Sequence, residues 1–480
     1  MKVSLEYGLE MMEAELPDDA DVFVPGETVP DPPFLDDPVA ATRRSLRNPI
    51  GMDPLQRMAH RGDKVTIVFP DRVKGGEQAT SHRKVAIPLA IEELERAGVA
   101  RKDILLICSN GLHRKNAPHE LASLLGEPLF SEFWASGQII NHDSEDPDHL
   151  VDLGTTATGD QVLMNRYVYE SDVSVLIGHT LGNPYGGYSG GYKHCSTGLT
   201  HWRTIAAHHV PAVMHRPDFV PVSGSSLMRR KMDEIAMHME DRMGKRFFCC
   251  DAVLDTSARQ IEINSGYGAE MQPLSWVTDD KRTYVPWAKR KYDVIVFGMP
   301  RAFHYGDGMG TNPVMMMQAI SAQVIRHLRI MSERCVFIVA SACDGFFNDV
   351  IWPYMHEVYG LLQAECNTLP DIHHHGERIA TDPAYVAKYR EAGAFHPFHP
   401  FSMMACGHLT EMHTSATYIV GAKAPGYARG MGLKTRATVE EALEDARQKY
   451  VGDHPSILVL PRTFRTAAVH LCMKDEPVHQ

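Results

Sequence analysis

The 480-residue sequence has no run of 18 apolar residues, so no segment reads as a membrane-spanning helix. Its opening, MKVSLEYGLEMMEAELPDD, carries acidic groups where a secretory leader needs an apolar core, and export is not expected. Positive charge is in short supply: 48 Lys and Arg against 60 Asp and Glu leave a formal net charge of -12. A general nucleic-acid binder needs a clustered basic face, so the charge argues against that class. The nine cysteines are odd in number and scattered, several within strand-like runs such as LLICSN and RCVFIVASAC. That usage fits reduced, buried thiols in a cytoplasm-like compartment. Cys249 and Cys250 are adjacent without zinc spacing and read as structural. Signature motifs are missing too. No Gly-Lys-Ser/Thr completes a P-loop, no GxGxxG opens a helix after the first strand, and neither HExxH nor a four-cysteine pattern occurs.

What is present is ordinary in bulk and unusual in detail. Hydrophobic content of 44% and charged content of 22% suit a globular chain with a sizeable core, and the length suits two or three domains. Histidine (26) and methionine (25) are both abundant. Short apolar runs alternate with helical patterns. Strands are expected at 64–69, 103–110, 172–179, 292–300, 335–342, 416–422 and 456–461. These runs are apolar throughout, as strands buried on both faces of a parallel sheet are. Helices are expected at 84–99 and 226–243, and another is opened by Thr438 and Glu441 in capping-box spacing. The Gly-, Pro- and charge-rich stretch 265–293 reads as a boundary. The fold class is therefore α/β: two α/β domains with mainly parallel sheets and the active site in the cleft between them. The expected division is 1–275 and 276–480, the last strand having the option of packing back on the first domain. The histidine-rich stretch 395–413 reads as a long loop.

Polar clusters follow the strands, where open α/β sheets place function. PDRVKGG follows the first run, SNGLHR the second and GHTLGNPYGGYSGGYK the third, while GMPRAFHYGDG and CDGFFND follow two later ones. Gly186, Gly187, Gly190 and Gly191 permit φ > 0 and close approach to a ligand, and Lys193 and His194 come directly after them. His208 and His209 lie one short helix later; neighbours on a helix point about 100° apart, so at most one can face a given ligand. His113 can serve as a general base, and Asp71, beside Arg72 and Lys74, can orient a base or form an ion pair. The three histidines of HHHGER splay their side chains and read as a solvated loop.

Taken in order, these pieces resemble the lactate racemase family, from about Leu46 to the C-terminal strands and most strongly over 65–209. The resemblance implies a racemase or epimerase of 2-hydroxy acids that uses a nickel-pincer nucleotide (pyridinium-3,5-bisthiocarboxylic acid mononucleotide nickel). It makes His113 a catalytic acid/base, like the histidine of the family's TG-x-HR motif. GYSGGYK resembles the family's GFSGGRK, so Lys193 would carry the cofactor covalently, with Gly187, Ser189, Gly190 and Gly191 around it. His209, sixteen residues on, would bind the Ni. Asp71 matches the aspartate of an Asp-x-x-Arg pair whose arginine position is Lys74 here. The QA of MMMQAIS places Gln318 near substrate.

The departures from the family fall on substrate residues. Asn183 stands where the family has its second catalytic histidine, and an amide cannot take a proton at neutral pH. Ser321 stands at a substrate-binding lysine position, and Lys74 lacks arginine's fork for carboxylates. An altered substrate is the implication, with His179, His194 or His201 as replacements for the second base. Two alternatives share the cofactor: a redox or lyase enzyme ending at a 2-keto product, and a non-catalytic cofactor- or nickel-binding homologue. A zinc hydrolase built on the histidines of 395–413 is a third. The expected partner is a small hydroxy acid, with no nucleic acid and no membrane; oligomeric state stays open, a homo-oligomer included.

Overall fold

A computed structural model describes residues 1–478 except 74, 184–186, 215–223 and 225, and gives residues 183 and 403–406 as backbone only. The chain forms two compact units: residues 32–282 with 386–396, and residues 1–31 with 283–385 and 397–480. This division is discontinuous, where the sequence suggested one boundary after 275. The reason is strand pairing. Strand Lys2–Gly8 lies parallel to the end of Tyr292–Pro300 and pairs antiparallel with Glu10–Glu15, so the N-terminus joins the second unit. The last strand, His470–Met473, pairs parallel with Tyr284–Ala288 of that same unit. Among the described residues no helix is long and apolar enough to cross a membrane.

The unit of residues 32–282 and 386–396 holds a six-stranded sheet in the order 260–267, 248–254, 173–180, 65–69, 104–108, 139–141. Every neighbouring pair is parallel except the antiparallel edge strand Gln260–Tyr267. All five residues of Val65–Phe69 and all eight of Val173–Thr180 are buried, because both faces are covered. Ile67, Phe69, Leu106 and Val175 pack with helix His82–Arg96 on one side. Val68, Ile107 and Leu176 pack with Ile235, Ala236 and Met239 of helix Leu227–Met243 on the other. The alternation of strand side chains thus feeds two separate cores. Ser226 caps the second helix by accepting the Arg229 N–H.

The other unit is built on Tyr292–Pro300, parallel to Met331–Ala340 and to Ile457–Leu460. Ala416–Val420 and Lys434–Arg436 extend the sheet in parallel. Two expected irregular stretches are helical. Residues 268–283 form a helix through Pro273, because Met271, Ser275, Asp279 and Arg282 bury one face of it and packing outweighs propensity. Residues 399–413 form a helix with Pro400 in its first turn, where a missing N–H costs nothing. The eight described cysteines are free thiols, Cys249 and Cys250 buried in strand Phe248–Leu254 among them.

Candidate active site

Strand Val65–Phe69 lies between Ile104–Cys108 and Val173–Thr180. The chain passes from it to one side, then crosses back to the other, so the sheet has its topological switch point there. The segments leaving the three strands carry Asp71, then Ser109 to His113, then the glycine-rich loop. They are in contact. Gly111 N–H donates to the Gly198 carbonyl at 3.2 Å, and Ser109 Oγ lies 3.0 Å from His194 Nδ1. Gly75 has φ +71, and a Cβ there would lie 2.6 Å from the His179 ring, so only glycine lets this loop close on the strand end.

Asp71 is 3% exposed and its Oδ2 lies 2.6 Å from His113 Nδ1. Its other oxygen accepts the Val73 N–H at 3.1 Å. Arg83, fully buried, donates to the Pro70, Asp71 and Gly76 carbonyls and fixes the turn that aims the carboxylate. A carboxylate on Nδ1 holds the proton there and leaves the lone pair on Nε2, the tautomer of a general base.

The glycine-rich loop is braced from beneath. Gly187, Gly190 and Gly191 have φ of +84, +79 and +50. Ser189 Oγ donates to the His179 carbonyl at 2.8 Å and accepts the Leu181 N–H. The fully buried Arg229 donates to the Tyr188 carbonyl at 3.1 Å and to Gln272 Oε1 at 2.9 Å, and the same oxygen accepts the Tyr192 N–H at 2.7 Å. Lys193 opens a four-residue helix, Lys193–Ser196, and is half-buried. Its charge acts on the ring of His208, and His208 Nδ1 lies 2.7 Å from His209 Nδ1. Burial pushes His208 down to about 3, so that ring is neutral. The lysine and the two imidazoles therefore share one neighbourhood.

Asp251 pairs with Gly178 across the sheet and backs the loop: a Cβ on Gly190 would meet Asp251 Oδ2 at 2.6 Å. Burial pushes its carboxyl up to about 7, against the Gly191 N–H and Arg229, which pull it down. The folded pKa exceeds the unfolded value. Its contribution to stability is therefore full below about pH 4 and fades as pH rises through 7, by roughly 4 kcal/mol at most. Glu240, pushed to about 7 by burial, acts in the same sense. The urea midpoint should fall between pH 5 and pH 8, and Asp251→Asn should remove a large part of that fall; an unchanged slope in the variant would refute it.

The structure places the remaining expected residues as follows. Lys74 lies outside the described residues. The backbone of Asn183 pairs with Gly187. Gln318 and Ser321 lie on helix Pro313–His327 of the other unit. Gln318 is 6% exposed. Ser321 is fully buried; its hydroxyl donates to the Gly407 carbonyl at 2.7 Å and contacts Thr410 Oγ1, so it ties two helices together instead of facing a ligand. Among the described residues no three His, Cys, Asp or Glu converge as a metal cage. In the stretch suggested for zinc, His396 binds Glu145 at 2.7 Å and His408 binds Glu411 at 2.7 Å. The sequence reading missed Arg83, Arg229, Gln272, Asp251 and Glu145, polar residues on distant elements. Only the interruption of an apolar strand by Asp251 was a signal.

Residues 7–219, which contain Asp71, His113, Lys193 and His209, match the sequence model of the lactate racemase N-terminal domain. Over this stretch the chain is similar to the N-terminal domain of lactate racemases. The lactate racemase of Lactiplantibacillus plantarum is 25% identical to it over 218 residues, 45% of this chain and 48% of that one. That of Thermoanaerobacterium thermosaccharolyticum is 25% identical over 175 residues, 36% of this chain and 39% of that one. In matched sequence the chain thus spans about half or less of the length of these curated relatives. The likeness to solved structures is one of fold. The lactate racemase apoprotein of T. thermosaccharolyticum superposes with a TM-score of 0.69 at 18% identity, over 98% of this chain and all of that one (100%). A Thermotoga maritima protein superposes at 0.56 with 13% identity, over 90% and 98%.

Proposed function

We propose that this chain is a 2-hydroxy-acid racemase or epimerase working by hydride removal and return, with a nickel-pincer nucleotide held on Lys193. The observation that carries the reading is the Asp71–His113 pair, joined at 2.6 Å on the segments next to the helix of Lys193, whose charge reaches the His208–His209 pair.

The residues present fit such a group. A loop with three glycines at positive φ lets a planar ring approach its backbone. With Nδ1 of His209 engaged by His208, Nε2 is the ring atom that would be offered to a metal. Among the described residues no three His, Cys, Asp or Glu converge, and a single imidazole would suit a metal that arrives with most of its own donors. When bound, the group supplies a centre that accepts and returns hydride. His113 Nε2 takes the hydroxyl proton as the C–H bond is broken, and the base on the second face gives a proton back when the opposite face is reduced. Asp71 carries the developing imidazolium charge. His179, lying against the Asp71 loop at Gly75, serves the second face that Asn183 cannot. The substrate class is a hydroxy acid, and the buried free thiols support a reducing compartment such as the cytoplasm.

A second reading is favoured by Asn183 itself. Without a base on the second face, the reaction would stop after one oxidation, the proton on His113 and the two electrons kept by the bound cofactor, so that each loaded chain yields one 2-keto acid. The test is to incubate cofactor-loaded protein with a panel of 2-deuterated hydroxy acids of one hand. The racemase reading expects product of opposite hand that keeps its deuterium. Net 2-keto product instead selects the second reading, and unchanged substrate across the panel would leave a binding protein.

A further inference from the structure

We propose that the segment 386–396 is a strap that positions the His113 ring, and that Glu145 is the residue that fastens it. This rests on the reading of His113 as the proton acceptor. The segment comes from far along the chain, yet it belongs to the compact unit of residues 32–282. It meets three consecutive residues of the loop that ends in His113. Tyr389, fully buried, donates its hydroxyl to the Gly111 carbonyl at 3.0 Å. The His396 N–H donates to the Leu112 carbonyl at 2.9 Å. The Phe395 ring stands edge-on to the His113 ring with centroids 5.8 Å apart. Gly111 has φ +52 and a Cβ there would lie 2.6 Å from the Thr197 carbonyl, so no side chain at that position can shape the loop. The support has to come from elsewhere.

The far end of the strap is anchored. Glu145 accepts from His396 Nε2 at 2.7 Å, and its second oxygen lies 3.5 Å from His201 Nε2. His201 Nδ1 accepts the Arg203 N–H at 3.2 Å, so its ring caps the helix that leads to His208 and His209. The Tyr389 hydroxyl accepts the Ser144 N–H at 3.0 Å, directly beside Glu145. Asp143 adds a second fastening, accepting from Lys115 at 2.8 Å and from Arg390 at 3.0 Å. Its two imidazole partners outweigh the burial of Glu145 and hold its carboxyl down to about 2, so it stays ionised through the working pH range. One carboxylate therefore ties the loop of His113 to the helix approaching His209. Phe395 and His396 act through another residue: Asp71 sets which nitrogen of His113 holds the proton, and the strap sets the plane of the ring. Misplacement of a catalytic group on the ångström scale costs about 100-fold in rate.

The experiment uses the full chain and two readouts. The first needs no cofactor: the proton resonance of His113 Nδ1–H, shifted downfield by Asp71 and assigned by its loss in His113→Asn. It should be sharp in the parent and in His396→Gln, whose amide can still donate to Glu145. It should be broadened or lost in Phe395→Leu, His396→Leu and Glu145→Ala. The second is kinetic: kcat should fall about 10- to 100-fold with KM within about twofold, and His396→Gln should restore most of it. Phe395→Leu removes no hydrogen bond, so it decides the matter if the other variants do not fold. A resonance equally sharp in folded Phe395→Leu, or missing from the parent, overturns the strap. A resonance that responds as stated in a protein that turns over no hydroxy acid keeps the strap and discards the racemase reading.

Discussion

Lys193→Ala should leave the fold in place and abolish both the covalently bound nucleotide and turnover. The two halves of that expectation have separate grounds. The loop that presents Lys193 is held by contacts the lysine does not make: Arg229 on the Tyr188 carbonyl, Gln272 on the Tyr192 N–H and Ser189 on the His179 carbonyl. Lys193 is half-buried at the head of a four-residue helix, so truncating it creates no core cavity, and the change in stability should stay within about 1 kcal/mol. Turnover is another matter, because a covalent tether turns a dilute cofactor into one held at the strand ends. Lys193→Arg should fail equally: arginine keeps the charge beside His208 but its guanidinium is no nucleophile at neutral pH. Intact-protein mass spectrometry after loading in a nickel- and cofactor-competent host reads the adduct, and urea melts read the fold. An adduct of unchanged mass in Lys193→Ala would place the cofactor elsewhere.

Much of this architecture is legible in the amino-acid sequence, and for a physical reason. All seven expected strands exist within a few residues, because a strand buried on both faces must be apolar along its length and stands out against turns. Strand Phe248–Leu254 was missed because Asp251 breaks its run; the hairpin at 2–15 was missed because GluMetMetGluAlaGlu mixes charge with apolar groups. Asp71, His113 and Lys193 stood out since each follows a strand or glycine loop closely, where polar side chains have no packing role, whereas His209 was singled out from its pair only by the family resemblance. Their supports were not. Glu145 and His396 are 251 positions apart, and no local pattern announces a pair at that distance. Ser321 shows the converse: it aligned with a ligand-binding position, yet its hydroxyl ties helix to helix.

The sharpest consequence of the site geometry concerns Asp71→Asn. The substitution keeps size and shape, so a purely structural aspartate would lose little. Here the two carboxylate oxygens have different jobs. Oδ1 accepts the Val73 N–H, which an asparagine can satisfy only with its own oxygen. Its Nδ2 then faces His113 Nδ1, 2.6 Å away in the parent, and donates where the carboxylate accepted. The imidazole must offer a lone pair at Nδ1 and move its proton to Nε2, the atom that has to receive the substrate proton. The wrong tautomer is thereby made stable, and the negative charge that balances the imidazolium is lost with it. An analogous exchange behind a catalytic histidine in serine proteases costs about 10⁴ in kcat, and a drop of ~10²- to 10⁴-fold is expected here, with KM little changed. Nitrogen-15 spectra of the His113 ring should show the Nδ1–H form in the parent and the Nε2–H form in the variant. Equal turnover in Asp71→Asn, with the ring tautomer unmoved, would remove His113 from the proton path and return the Asp71–His113 pair to a role in packing alone.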